Sequence, residues 1–271
     1  TVKKLSKQLK LNLVETNCHL HPLDSMATKC KSALLQVEKE HGVSASLFGS
    51  GCGAERIVLG LNKMRFKDCR GDPTGFRIYL ATNDLPLGLI TRYRGNRLHI
   101  LFHLAAVYTQ HYSHVMEYLQ SHCLNGSSLK TCLIKDLMNP LFRIELQALA
   151  LVGKMLTGPW MSTFYSNDQS LTYMGGVGVV ENIIKKIEEA LSSNTYIEFS
   201  KDFFGNPIDQ SNMRKVFSNV SDNTLLSVVR ALLTAILIVL KKQYSSFLQM
   251  DALERSALDA PTAAARLHNI D

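Results

Sequence analysis

Leu225-Leu226-Ser227-Val228-Val229-Arg230-Ala231-Leu232-Leu233-Thr234-Ala235-Ile236-Leu237-Ile238-Val239-Leu240 is the stretch whose reading decides the fold. At 100° per residue, Asn223, Ser227, Arg230, Thr234 and Lys241 fall on one stripe roughly 60° wide, and every other face is aliphatic. The run is short for a hydrocarbon span, and Arg230 at its middle is costly there, so no membrane role is expected. The pattern predicts a long central helix, buried on nearly all sides within a helical domain.

Outward from this helix, the same periodicity recurs. Pro22 suits the first turn of a helix running to about Glu40, with Gly42 at the left-handed position that ends it. Further helices are expected over Arg97 to about Gln120, over Leu141 to about Leu156 between Pro140 and Gly158-Pro159, over Val177 to Leu191, and briefly from Asp251 to Ala257. Strand signals are few, at Val43 to Phe48, Arg77 to Ala81 and Tyr196 to Phe199. The expected fold is mainly α: an irregular helical bundle with a long buried helix near the C-terminus and few short strands. We read residues 1–271 as one helical domain with an irregular basic insert at about 66–93, cut from something longer.

The 271 residues are 46% hydrophobic and 20% charged, which supports a sizeable core and excludes collagen-like and largely disordered chains. Six cysteines form no Cys-x-x-Cys pair, as expected of isolated reduced thiols in an intracellular protein. The triplets Asn125-Gly126-Ser127 and Asn219-Val220-Ser221 carry no weight without a signal peptide.

The net charge of +7 is unevenly spread. Between Arg56 and Arg97 nine basic residues (Arg56, Lys63, Arg65, Lys67, Arg70, Arg77, Arg92, Arg94 and Arg97) face three acids (Asp68, Asp72 and Asp84). Lys3, Lys4, Lys7 and Lys10 form a second cluster. Such concentration attracts phosphate backbones or other polyanions. The nucleic-acid-binding residues expected from it are Arg65, Lys67, Arg70, Arg92, Arg94 and Arg97, the last three opening a helix where guanidinium forks and backbone N–H groups can meet one phosphate.

Other chemistry is thinner. Gly49-Ser50-Gly51-Cys52-Gly53-Ala54 imitates a dinucleotide fingerprint, but the alternating strands and helices of a doubly wound sheet are missing, and a turn is the expected meaning. Zinc is the one candidate metal. Cys18 and His21 lie three apart just before a helix, and His99 and His103, four apart with His114 on the same side, could share an ion. No catalytic triad or acid pair is legible. Trp160, the single tryptophan, sits at Gly158-Pro159-Trp160 and is expected to cap the core in preference to stacking on a base.

Three segments resemble the hAT superfamily of DNA transposases and transposon-derived proteins. Thr16-Asn17-Cys18-His19-Leu20-His21 resembles its Cys-x-x-His element. Thr91-Arg92-Tyr93-Arg94-Gly95-Asn96-Arg97 resembles its later Thr-Arg-Trp-Asn-Ser segment, with Tyr93 in place of tryptophan and the Gly95-Asn96 order reversed. Lys154-Met155-Leu156-Thr157-Gly158-Pro159-Trp160 resembles segments of transposon-derived vertebrate proteins. The similarity covers about residues 14–190. It implies a helical insertion domain interrupting a ribonuclease H-like core that cuts and joins DNA with three acidic residues and divalent metal. Two of those acids precede the Cys-x-x-His element and the third follows the insertion, so no catalytic acid maps onto this sequence. The expectation is a non-catalytic, DNA-contacting or self-associating helical portion of a transposase-like protein, nuclear in location. The alternative is a helical module that binds protein and no nucleic acid.

Overall fold

The computed structural model describes residues 19–67, 71–95, 99–122, 127–165, 171–193, 200–209, 222–251 and 253–255. Along the chain come α1 (His21–Glu40), α2 (Gly53–Phe66), α3 (Pro73–Thr82), α4 (Ile100–Gln110), α5 (Tyr112–Glu117), α6 (Ser128–Met138), α7 (Pro140–Val152), α8 (Gly158–Phe164), α9 (Tyr173–Ser192), α10 (Asp222–Gln243) and α11 (Ser245–Leu248). Single π turns extend α5 through Tyr118–His122 and α7 through Gly153–Thr157. The fold is mainly α.

Two of the three expected strands do not form. Val43 to Phe48 is a loop, and Arg77 to Ala81 lies inside α3, where Pro73 in the first turn and Asp72 at the cap start a helix over an intrinsically strand-like sequence. Tyr196 to Phe199 lies outside the described residues, among which the only extended pairing is an isolated bridge between Lys201 and Pro207. The helix expected from Arg97 to Gln120 is broken at His111 into α4 and α5. The basic insert at 66–93 is likewise more regular than expected, because α3 occupies its middle. Asp251 to Ala257 shows helical backbone at 253–255; Asp251 itself is not helical, and residues 252, 256 and 257 lie outside the described residues.

α10 keeps the predicted wet stripe. Asn223, Ser227, Arg230, Thr234 and Lys241 are exposed, joined by Ile238, while Val228, Val229, Leu232, Leu233, Ile236 and Leu240 are buried. By length and composition Asn223–Gln243 could cross a membrane, yet half of its apolar window is buried inside the fold. α10 packs chiefly on α1 and α7 and also on α9. The helix enclosed on nearly all sides is α7: every residue from Leu141 to Val152 except Arg143 is buried, including Glu145 and Gln147. Those two polar side chains lend α7 an amphipathic look in sequence, whereas α10 has the longer apolar run and lies nearer the surface. α7 also packs heavily on α4, and each buried Leu, Ile or Phe there contributes about 1.5–3 kcal/mol relative to exposure.

Candidate nucleic-acid interface

Caps and close approaches position the basic region. α2 begins at Gly53, where a Cβ would stand 2.2 Å from the Phe142 ring of α7, so only glycine lets the two helices meet. The glycine-rich turn before it therefore serves helix packing, with no strand ahead of it. α2 then runs outward and ends at Phe66 with Lys63 and Arg65 in its last turn, the end at which cations complement the helix dipole. α3 follows at once, its first turn closed by Asp72 Oδ1 accepting from Gly75 N at 2.9 Å. The other Asp72 oxygen accepts from the Tyr118 hydroxyl at 2.9 Å, so this acid is spent on structure.

The arginine-bearing segment is tied to α2 by Asn62. Its Nδ2 donates to Thr91 O at 2.8 Å, and its Oδ1 accepts from Tyr93 N at 3.1 Å, which fixes the backbone on either side of Arg92. Asn62 is 8% exposed. Sequence reading missed it, although a polar residue on the apolar face of a helix is a visible signal. Tyr93 is partly buried, and burial with the nearby Glu55 charge pushes its phenol up to about 12.

Arg92 thereby reaches Phe66. Its guanidinium carbon lies 5.3 Å from the Phe66 ring centroid, and that of Arg65 lies 5.0 Å from the same centroid. A ring flanked by two cations holds both in cation–π contact without neutralising either. Arg65 donates to Leu87 O at 3.4 Å, its Nε is buried without a hydrogen-bond partner, and burial followed by the Arg77 charge lowers its pKa. Lys63, Lys67, Arg77, Arg92 and Arg94 are exposed. Ion pairs among the described residues join Lys31 to Glu55, Lys185 and Arg255 to Glu181, and Lys241 to Glu188, and none of them takes up a cation of this region. Arg65 and Arg92 are thus brought together at Phe66, and Lys67 and Arg94, next to them in the chain, are exposed; Arg70 and Arg97 lie outside the described residues.

Of the expected metal residues, His99 and His103 lie side by side, whereas His114 turns elsewhere. His99 caps α4 and His103 follows one turn later, with ring centroids 5.8 Å apart. Burial lowers both pKa values, His99 being lowered further by His103. His114, on α5, instead neighbours the Tyr79 hydroxyl at 3.5 Å, which donates to Glu117 at 2.8 Å. Cys18 lies outside the described residues, and His21 is exposed at the start of α1.

The histidine between them is the unexpected one. His19 is 1% exposed, stacked on Phe164 at 4.8 Å and on Tyr244, whose hydroxyl lies 2.6 Å from its Nδ1. Burial, partly offset by the Tyr173 backbone, holds its pKa at about 4. Its carbonyl accepts from Trp160 Nε1 at 2.8 Å, so the single tryptophan is a core residue.

One group of three donors among the described residues lies within 4.8 Å: Glu38, Cys52 and Glu145, all buried. Glu38 accepts from Gly53 N at 2.5 Å and Glu145 from Ala54 N at 2.9 Å, both at the positive end of α2. That end disfavours a cation and favours carboxylates. Burial, then the Glu38 charge, drives the Glu145 pKa well above the usual carboxylate range, and burial does the same to the Cys52 thiol. The arrangement fits two carboxyl groups sharing a proton better than it fits a metal. Comparison with family models, with curated proteins and with solved structures finds no match to the chain.

Proposed function

We propose that this chain is a non-catalytic, nucleic-acid-contacting helical portion of a hAT-transposase-like or transposon-derived protein, acting in the nucleus. The observation that carries the reading is the face of Lys63, Arg65, Lys67, Arg77, Arg92 and Arg94. Among the described residues none of these cations pairs with a carboxylate, and two of them stand on one aromatic ring. Cations left unpaired on a fixed scaffold release counterions when they meet phosphates, which is the main source of non-specific DNA affinity. The two parts of the reading rest on different grounds: the polyanion contact on charge and geometry, the family on the three quoted segments.

The test is binding to a short DNA duplex at low and moderate salt. Arg92→Ala with Arg94→Ala weakens binding about tenfold or more on every sequence tried, because phosphate contacts carry no base information. Unchanged affinity removes the proposal. Zinc held by Cys18 and His21 belongs to the same family reading, and the metal content of purified protein checks it. Self-association is the accompanying expectation, read by light scattering.

A further inference from the structure

Phe48 is 99% exposed, the most exposed large apolar side chain among the described residues. It does not hang from a loose loop. Asp136 of α6, 2% exposed, accepts from Ser46 N at 2.7 Å and from Leu47 N at 2.9 Å. Arg56 of α2 clamps the other side, donating from Nε to Gly51 O at 2.6 Å and from Nη1 to Leu47 O at 3.0 Å. A carboxylate and a guanidinium thus fix the turn that presents the ring, so its backbone ordering cost is met before any partner arrives.

Beside it runs a groove of about 710 Å³ between α2 and the start of α6. Leu47, Leu59, Leu129 and Cys132 supply its apolar wall, and Lys63 is exposed at its rim. No acidic side chain lines it, and the Arg56 guanidinium faces backbone carbonyls instead of a carboxylate. A rigid exposed aromatic next to an apolar, cationic groove has the character of an interface anchor.

We propose that this groove docks an acidic amphipathic helix of a partner protein, with Phe48 inserting between the partner's apolar side chains and Lys63 meeting its carboxylates. The groove is flanked by two helices and its lining offers no strand edge, so a partner helix seated along it makes its contact through side-chain anchors at helical spacing. A second copy docked groove to groove is the poorer occupant, because it would set Lys63 against Lys63 with no acidic side chain in the lining to meet either.

The probe is a labelled synthetic helix with Leu at i, i+3, i+4 and i+7 on one face and Glu on the other, titrated against the full chain by fluorescence anisotropy. The expected result is micromolar binding, weakened at least tenfold by Phe48→Ala and severalfold by Lys63→Glu. A Lys-for-Glu version of the probe should bind at least tenfold more weakly. Phe48→Ala makes no contact that holds the fold, so its melting temperature and its DNA binding should match the parent; this separates failure here from failure of the nucleic-acid reading. Absence of binding up to millimolar probe, or equal binding by Phe48→Ala, overturns the proposal. So does a dimer of the parent chain that Phe48→Ala dissolves.

Discussion

The two ends of α2 (Gly53–Phe66) carry opposite charges in opposite environments, and both suit the helix dipole. At the first turn two carboxyl groups, Glu38 from α1 and Glu145 from α7, are buried against the N–H groups of Gly53 and Ala54. At the last turn Lys63 and Arg65, joined by Lys67 just beyond, have no carboxylate among the described residues, and Arg92 is brought in beside them. The buried end uses one oxygen each of Glu38 and Glu145 to join three helices. The exposed end holds its cations in place and leaves their charge uncompensated. The same dipole therefore serves the fold at one end and, at the other, suits the exposed cations on which the proposed nucleic-acid contact rests.

The comparison can be broken first at the buried end. Glu145→Ala leaves a cavity in the core and Ala54 N without its acceptor, and should destabilise the protein by about 3–5 kcal/mol in urea unfolding. Glu145→Gln keeps the shape of the neutral acid and should cost about 1 kcal/mol. The pH dependence sharpens the point. The Glu145 pKa is raised, so the native state holds a proton that the unfolded chain releases. Stability from this pair is therefore full below the unfolded carboxyl range and declines as pH rises above about 4.5, and the Gln variant should lose that slope. A steep slope retained by Glu145→Gln would contradict the shared proton.

His19 gives a slightly smaller effect of opposite sign. Its folded pKa of about 4 lies below the unfolded value, so its contribution is full above about pH 6.5 and is lost as pH falls toward 4. The expected loss is about 3 kcal/mol over that window, measured by denaturation at successive pH values. His19→Phe should flatten it, while Glu145→Gln should not.

Asn62 connects the buried side to the exposed one, and its removal should have the smallest effect on stability. Asn62→Ala frees Thr91 O and Tyr93 N and should cost about 2 kcal/mol. It should also weaken DNA binding severalfold, because Arg92 then loses its fixed station beside Phe66. An unaltered DNA affinity would show that the loop needs no anchor to bring its arginines to phosphate.

Much of the helical architecture was legible because it rests on periodicity. The α10 stripe from Asn223 to Lys241, the Pro22 start of α1 and the Gly42 stop, which adopts φ 63°, all follow from local chemistry. What could not be read depends on distant partners. Arg77 to Ala81 looks strand-like until Asp72 and Pro73 start a helix before it, and α7 looks half-exposed because Glu145 and Gln147 find buried places that sequence does not reveal. The charge excess of the basic region was visible, but its geometry was not. The approach of Arg65 and Arg92 to one ring depends on Asn62, a residue whose role appears only once the loop folds back. His19 was hidden between two residues that looked more like ligands, and its aromatic cage is assembled from Phe164, Tyr173 and Tyr244, far along the chain.

The most direct measurement is the salt dependence of DNA affinity for the parent chain and for the combined Arg65→Ala, Arg92→Ala and Arg94→Ala variant. With phosphate contact at this face, log K against log salt should become shallower by about 2–3 in the variant, whose helical fold is checked by circular dichroism. Parallel lines for the two proteins would contradict the account.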